Sequence, residues 1–277
     1  MFLWIIPATS NNAIVIESVY VDGQKLKADI IDNGQKKCLW FCYSDNYQPV
    51  ALNADAFLIY LVRYAMIQNR DIVSKVPCHY ELLNSINRLL IPAIHMADAA
   101  HAKMKVSAPA LEEYNCNQAP GVMTGLSCGV DSFYALLNHY RTGDKNLDVT
   151  HLFFFDMLHT DINHEWETFN YCQKDIDWYP THLYSLFAGV NSMQNIIGKY
   201  YLANTFHVTD VELNNPLNSD PAHYELLLIK AFHHKDMEIY IEAPRTRNEK
   251  TDFIADNWIN SELSLTWSTI KRIVIGI

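Results

Sequence analysis

The stretch that decides the fold reads Gly121-Val-Met-Thr-Gly-Leu-Ser-Cys-Gly-Val-Asp-Ser-Phe-Tyr-Ala-Leu-Leu-Asn-His-Tyr140. It starts as a short apolar run, typical of a buried strand, and it ends with apolar residues at helical spacing. A strand that passes through a small-residue loop into a helix gathers several backbone N–H groups at one point. The helix N-terminus adds partial positive charge there, so residues 127–132 form a candidate anion site.

The side chains of this loop suit a phosphate ligand. Gly129 can adopt a positive φ or allow close approach of the backbone. Ser127 and Ser132 can donate hydroxyl hydrogen bonds to phosphate oxygens. Asp131 fits as a helix cap or as a ligand of a phosphate-bound Mg²⁺ ion. On the residues alone, a tight strand-to-helix turn without a ligand remains the alternative.

The segment Ser-Cys-Gly-Val-Asp-Ser, residues 127–132, resembles the Ser-Gly-Gly-X-Asp-Ser signature of the PP-loop ATP pyrophosphatases. These proteins belong to the adenine nucleotide α-hydrolase-like superfamily, with 7-cyano-7-deazaguanine synthase and the C-terminal part of asparagine synthetase among them. The resemblance implies ATP and Mg²⁺ as cofactors. It also implies cleavage of ATP to AMP and pyrophosphate, usually by adenylating an oxygen of a small substrate that a nucleophile then attacks.

The same resemblance assigns roles to individual residues. The cofactor-binding set is Ser127, Cys128, Gly129, Val130, Ser132, Phe155, Asp156 and Asn204. Phe155 and Asp156 would hold the adenine through backbone groups at the end of the next strand. The catalytic set is Asp131, Arg247 and Lys250, with Asp131 also the metal ligand and the two cations neutralising pyrophosphate or a substrate carboxylate. The alternatives are a polar turn at Asn204 and a solvated helix start in which Glu249 pairs with the cations.

Three departures from the family pattern favour a second interpretation. Cys128 stands where the first loop glycine is usual, and Asp220 replaces the histidine of a Ser-His-Pro element. No cysteine follows Cys172, whereas the relatives carry a Cys-rich metal knot near the end. The alternative function is therefore a catalytically degenerate nucleotide-binding or scaffolding protein.

The remaining pattern predicts an α/β protein with two domains. Residues 1–112 form a small α+β domain, with antiparallel strands before residue 43 and helices at 53–69 and 80–90. Residues 113–277 form a parallel, doubly wound, Rossmann-like domain of the HUP type. Its predicted strands lie at 149–155, 181–186 and 237–241, and its later helices at 162–174, 225–233 and 245–258. The first domain could serve substrate gating, dimerisation or support, so a homodimer stays open.

Net charge and cysteine content indicate which partners and which cellular compartment to expect. The formal net charge of −10 disfavours a broad nucleic-acid or membrane surface. The six cysteines include no CxxC pair, which indicates reduced thiols and a cytoplasmic location. We therefore expect the partners to be ATP and a small-molecule or peptide substrate.

Overall fold

Three antiparallel strands begin the described part of the chain. The computed structural model describes residues 12–43, 47, 52–109, 119–156, 181–204, 220–242, 245–258 and 271–276. The strands are β1 (Ile14–Asp22), β2 (Lys25–Asp32) and β3 (Gln35–Tyr43). Asn33 and Gly34 both have positive φ, as the tight hairpin turn between β2 and β3 requires. The antiparallel start predicted from sequence is confirmed.

Helices and two short strands complete the first half of the chain. They are α1 (Asp55–Ile67), β4 (Ile72–Ser74), α2 (Tyr80–Ser85), a π-helical turn (Ile86–Leu90), α3 (Ile91–Ala97) and β5 (Val106–Ser107). The sequence pattern predicted a helix end near Pro92, but α3 continues to Ala97. Pro92 lies in the first turn after the π-helical turn, where the regular hydrogen-bond ladder is already interrupted and a proline costs little.

The second half of the chain alternates strands and helices. Its elements are β6 (Gly121–Gly125), α4 (Val130–Asn138), β7 (His151–Asp156), α5 (His182–Asn191), β8 (Ile197–Leu202), a 3₁₀ turn (Pro221–Tyr224), α6 (Glu225–Phe232), β9 (Glu238–Ile241), α7 (Arg247–Trp258) and β10 (Lys271–Gly276). The helices predicted over 225–233 and 245–258 are confirmed, as is the strand over 237–241. The helix predicted over 162–174 lies outside the described residues.

One element of this half contradicts the sequence prediction. Residues 181–186 were expected to form a strand, but they begin helix α5. Eight of its ten residues are buried, and it packs against α1. A helix that is buried on nearly all sides loses the one-sided apolar stripe by which helices are recognised. Its apolar run therefore resembled a strand buried on both faces.

A single mixed sheet joins the described strands. Its order is β5-β4-β1-β2-β3-β10-β7-β6-β8-β9. Strands β10, β7, β6, β8 and β9 run parallel, and β10 pairs antiparallel with β3. The architecture is thus mixed α/β with one parallel half. The chain leaves β6 towards β7 on one side, whereas β8 and β9 lie on the other. The carboxyl ends of β6 and β8 therefore flank a topological switch point, the usual place for a ligand in such sheets.

The main apolar core draws on both halves of the chain. Ile14 and Phe57 from the first half share one buried cluster with Phe187 and Phe232 from the second. The domain boundary predicted near residue 112 falls within 110–118, outside the described residues, and stays a prediction. Within the described ranges, the helices are all too short or too polar to cross a bilayer.

Candidate functional site

The loop after β6 is open to solvent and locally strained. Leu126 N–H donates to Phe153 O at 2.9 Å, which ties the start of the loop to β7. Cys128 is exposed and has φ of +61°, whereas Gly129 is extended with φ of −88° and ψ of 168°. Of the two possibilities considered for Gly129, a positive φ and a close approach of the backbone, the positive φ is not adopted. The left-handed residue is Cys128, at the position where the PP-loop signature has its first glycine, and this conformation is unfavourable for a non-glycine residue.

Hydroxyl groups close the loop onto the start of α4. Ser132 Oγ donates to Gly129 O at 2.9 Å, and Ser127 Oγ donates to Ser132 Oγ at 3.3 Å. Ser132 is buried and serves the loop itself, whereas Ser127 remains at the surface. Helix α4 begins at Val130, and the residue before it is Gly129, which has no side chain to accept hydrogen bonds from the first-turn N–H groups. These donors, together with the helix dipole, are what an anion needs at this position.

A buried lysine connects three segments around the switch point. Lys250 is 1% exposed, and its Nζ donates to Asp131 Oδ1 at 2.9 Å and to Asn204 O at 2.6 Å. Asp131 lies in the first turn of α4, Asn204 follows β8, and Lys250 lies in the first turn of α7. Three of the residues assigned from sequence are therefore brought together. Lys250 is engaged in an ion pair within the protein and does not face solvent.

The other cation of the predicted pair does not share the buried position of Lys250. Arg247 is exposed at the start of α7. Glu249 caps this helix: its Oε2 accepts hydrogen bonds from Thr246 N at 2.7 Å and from Thr246 Oγ1 at 2.8 Å. Besides Lys250, Arg245 packs on α4, and its guanidinium lies 5.4 Å from the ring centre of Tyr134. Sequence reasoning placed Arg245 in the basic cluster but did not select it.

A buried carboxyl group near Lys250 was missed altogether. Glu225 is the first residue of α6 and is 4% exposed. Burial raises the pKa of this carboxyl to about 8, and the charges of Asp220 and Asp131 add to the rise, while Lys250 opposes it. Glu225 is therefore largely protonated at neutral pH and can hold or release a proton. An acidic residue in a first helical turn is ordinary, so its spacing in the sequence gave no signal.

Phe155 and Asp156 close strand β7, next to β6 in the sheet. Their backbones pair in register with Ile275 and Gly276 of β10. Because β6 and β7 are parallel, both strands end at the edge that carries the loop. The adenine-binding role of Phe155 and Asp156 stays a prediction.

The chain was also compared with known proteins. No family model, no curated protein and no solved structure matches it. The assignment of a function therefore depends on the residues described above.

Proposed function

We propose that this chain binds MgATP at the carboxyl edge of β6 and β8 and adenylates a small substrate, releasing pyrophosphate as PP-loop ATP pyrophosphatases do. One observation carries the proposal. An exposed loop leads into the N-terminus of α4 at the switch point of a parallel sheet, with the Lys250–Asp131 pair beside it. The parallel order β7-β6-β8-β9 supports the finer assignment to a doubly wound, HUP-like fold as part of the same proposal.

The residues at this edge fit a phosphate chain and its cation. The backbone N–H groups of residues 129–132 and the Ser127 hydroxyl would bind phosphate oxygens. Asp131 uses Oδ1 to accept from Lys250, and its side chain keeps 17% of its surface exposed. Its carboxylate would therefore still be able to reach Mg²⁺, which prefers oxygen ligands. Asn204, which follows β8, is buried and accepts a hydrogen bond from Lys250 through its backbone oxygen.

Different side chains would stabilise the developing charge and transfer the proton. Arg247 is exposed and would supply charge to a leaving pyrophosphate group, and Arg is suited to that task. Lys250 would act from its buried position by orienting Asp131 and by adding positive potential near the loop. Glu225, protonated near neutral pH, would hold the proton that a substrate oxygen or attacking nucleophile exchanges. The acceptor would be a carboxylate, amide or carbonyl oxygen of a small molecule or peptide.

A non-catalytic nucleotide-binding or scaffolding protein is the second candidate. It is favoured by the engagement of Lys250 with Asp131 and Asn204, which leaves one of the two proposed catalytic cations buried. The left-handed Cys128 supports the same alternative, because it places a side chain where the PP-loop signature has none. Under this alternative, MgATP binds but pyrophosphate is not released.

Two substitutions in the loop test binding without disturbing the fold. A Cβ added at Gly129 meets only Ser127 Oγ, at 3.5 Å, and the backbone there suits any residue. Gly129→Ala should therefore fold like the wild type, yet its methyl group projects beside the Ser127 hydroxyl and crowds a bound phosphate. Cys128→Gly is the matched control, since it removes a side chain from the same loop and should keep or improve affinity.

The assays are calorimetric titration with MgATP and a pyrophosphate-release measurement with candidate carboxylates and amides. The proposal expects saturable binding by the wild type, at least about tenfold weaker binding by Gly129→Ala, and pyrophosphate release with a suitable acceptor. Binding without any release would favour the non-catalytic alternative. Equal MgATP affinity in Gly129→Ala and the wild type, or no binding at all, would overturn the assignment of the loop.

A further inference from the structure

A second cluster of ionisable side chains is separate from the loop residues. It consists of Asp55, the first residue of α1, His79, which precedes α2, and His234, in the turn before β9. All three are buried, and one ligand atom from each lies within 4.8 Å of the others. The imidazole rings of His79 and His234 are stacked with centres 4.4 Å apart. Residues from both halves of the chain thus converge on one point.

The outer nitrogen of each histidine is held by an oxygen. His79 Nε2 lies 2.7 Å from Asp236 Oδ2, and His234 Nε2 lies 2.8 Å from Asn191 Oδ1. The Asn191 amide is oriented by its own Nδ2, which donates to Phe187 O at 2.9 Å. Its Oδ1 can only accept, so His234 donates from Nε2. Metal-binding histidines are oriented in this way, because a partner on one nitrogen fixes the tautomer and leaves the other nitrogen as the ligand.

The inner side of the cluster contains polar atoms that lack partners. His234 is 1% exposed, and its Nδ1 makes no hydrogen bond within the described ranges. Gln194 Nε2 donates to Asp55 Oδ2 at 3.3 Å, while the buried Gln194 Oε1 has no partner in the same part of the chain. A buried acceptor without a donor is costly, and such an atom calls for an explanation such as a bound ion. With its proton on Nε2, the His234 ring presents the lone pair of Nδ1 to the cluster.

We propose that Asp55, His79 and His234 bind one transition-metal ion, with Zn²⁺ the best match to two imidazoles and one carboxylate. Mg²⁺ and Ca²⁺ are poorer matches because they prefer oxygen ligands throughout. His79 Nδ1 lies 2.5 Å from Asp55 Oδ2. This contact must open to about 3.4 Å, because that is the separation of two ligand atoms that each stand about 2.0–2.2 Å from a tetrahedral Zn²⁺ ion. The site is buried and is bordered by Gln194, and an ion bound there would tie α1 to the turn before β9.

The test uses the full chain and the metals alone. The protein is stripped with EDTA, dialysed, and titrated with ZnCl₂ and separately with CoCl₂. The expected result is one equivalent of Zn²⁺ per chain, a higher melting temperature with Zn²⁺, and visible d–d absorption of the Co²⁺ complex that saturates at one equivalent. A wild-type chain that retains no Zn²⁺ and gives no visible Co²⁺ bands would overturn the proposal, and this readout does not depend on any variant folding.

Two variants assign the site to these residues. His234→Gln removes a ligand and should weaken Zn²⁺ binding more than about 100-fold, beyond the roughly 10- to 100-fold typical of losing an outer hydrogen-bond partner. His233→Gln is the matched control, because the neighbouring His233 Nδ1 accepts from Ile239 N at 3.1 Å and lies outside the cluster. Unchanged stoichiometry and affinity in His234→Gln would contradict the assignment, whereas loss of binding in that variant alone would support it.

Discussion

Asp131→Asn should destabilise the protein, although it changes one oxygen atom to nitrogen. The substitution removes the negative charge beside Lys250, whose side chain is 2% exposed and whose Nζ lies 2.9 Å from Asp131 Oδ1. A buried ammonium that loses its counter-charge is costly, typically about 3–5 kcal/mol in the free energy of unfolding. The asparagine side chain would still accept a hydrogen bond from Lys250, and the Asp131 side chain keeps 17% exposure. We therefore expect a smaller cost, about 2–3 kcal/mol.

A double-mutant cycle isolates this ion pair. Lys250→Met removes the buried charge and keeps most of the apolar stem, so it should cost about 1–2 kcal/mol, mainly from the lost hydrogen bonds. In the double variant no unpaired charge remains, so its stability should lie close to that of Lys250→Met alone. The expected coupling energy is about 2 kcal/mol, within the range for residues in direct contact.

The assay is urea unfolding of the four proteins of the cycle under one set of conditions. Glu17→Gln is the matched control, since Glu17 pairs with Lys75 at 2.6 Å with both side chains substantially exposed. Such a surface pair contributes about 0–1 kcal/mol. A cost below about 0.5 kcal/mol for Asp131→Asn, or additive effects in the double variant, would refute the buried ion pair that organises the site.

Three further changes test other parts of the account. Cys128→Gly should stabilise the fold by about 0.5–1 kcal/mol, because relief of the strain at the left-handed Cys128 exceeds the entropy that glycine adds to the unfolded chain. A lower free energy of unfolding in urea would show that Cys128 is not strained. Glu225 should contribute a fall in stability as pH rises from about 4.5 to about 8. In this range its carboxyl is ionised in the unfolded chain but still protonated in the folded chain, so its contribution to the free energy of unfolding falls by up to about 1.4 kcal/mol per pH unit. Glu225→Gln should flatten this slope, and equal slopes for the two proteins would exclude the raised pKa. Gly121→Ala should lower the free energy of unfolding by about 3 kcal/mol or more, since its Cβ would lie 2.3 Å from Ile196 O. Gly125→Ala is the control, because its Cβ would meet only a side-chain oxygen, at 3.3 Å. Similar melting temperatures for these two variants would argue against the close approach of β6 and β8.

The strand, loop and helix around residue 129 could be predicted from sequence because all of their signals are local. Apolar runs, small residues and helical spacing lie within the single stretch from Gly121 to Tyr140. The juxtaposition of Asp131, Asn204 and Lys250 was available only through the resemblance to a family, because it depends on the order of strands in the sheet. The resemblance itself finds no support in comparison with known proteins, and the residues carry the proposal alone.

Other features could not be predicted for physical reasons. Helix α5 is buried on nearly every side and thus lacks the polar face that marks a helix in sequence. Glu225 owes its raised pKa to burial and to carboxylates on other segments, neither of which appears in its local pattern. The cluster of Asp55, His79 and His234 joins residues that are far apart in the chain, so no metal-ligand spacing could reveal it. Folding alone brings these groups together.

The most direct measurement is a crystal structure of the chain soaked with AMP, pyrophosphate and Mg²⁺. We expect phosphate density against the backbone amides of residues 129–132, with Mg²⁺ at Asp131 and the nucleotide at the carboxyl edge of β6. Two results would contradict this expectation. One is an ordered ligand bound at another face of the protein, and the other is a well-ordered loop that holds no anion although the crystal was soaked at a saturating ligand concentration.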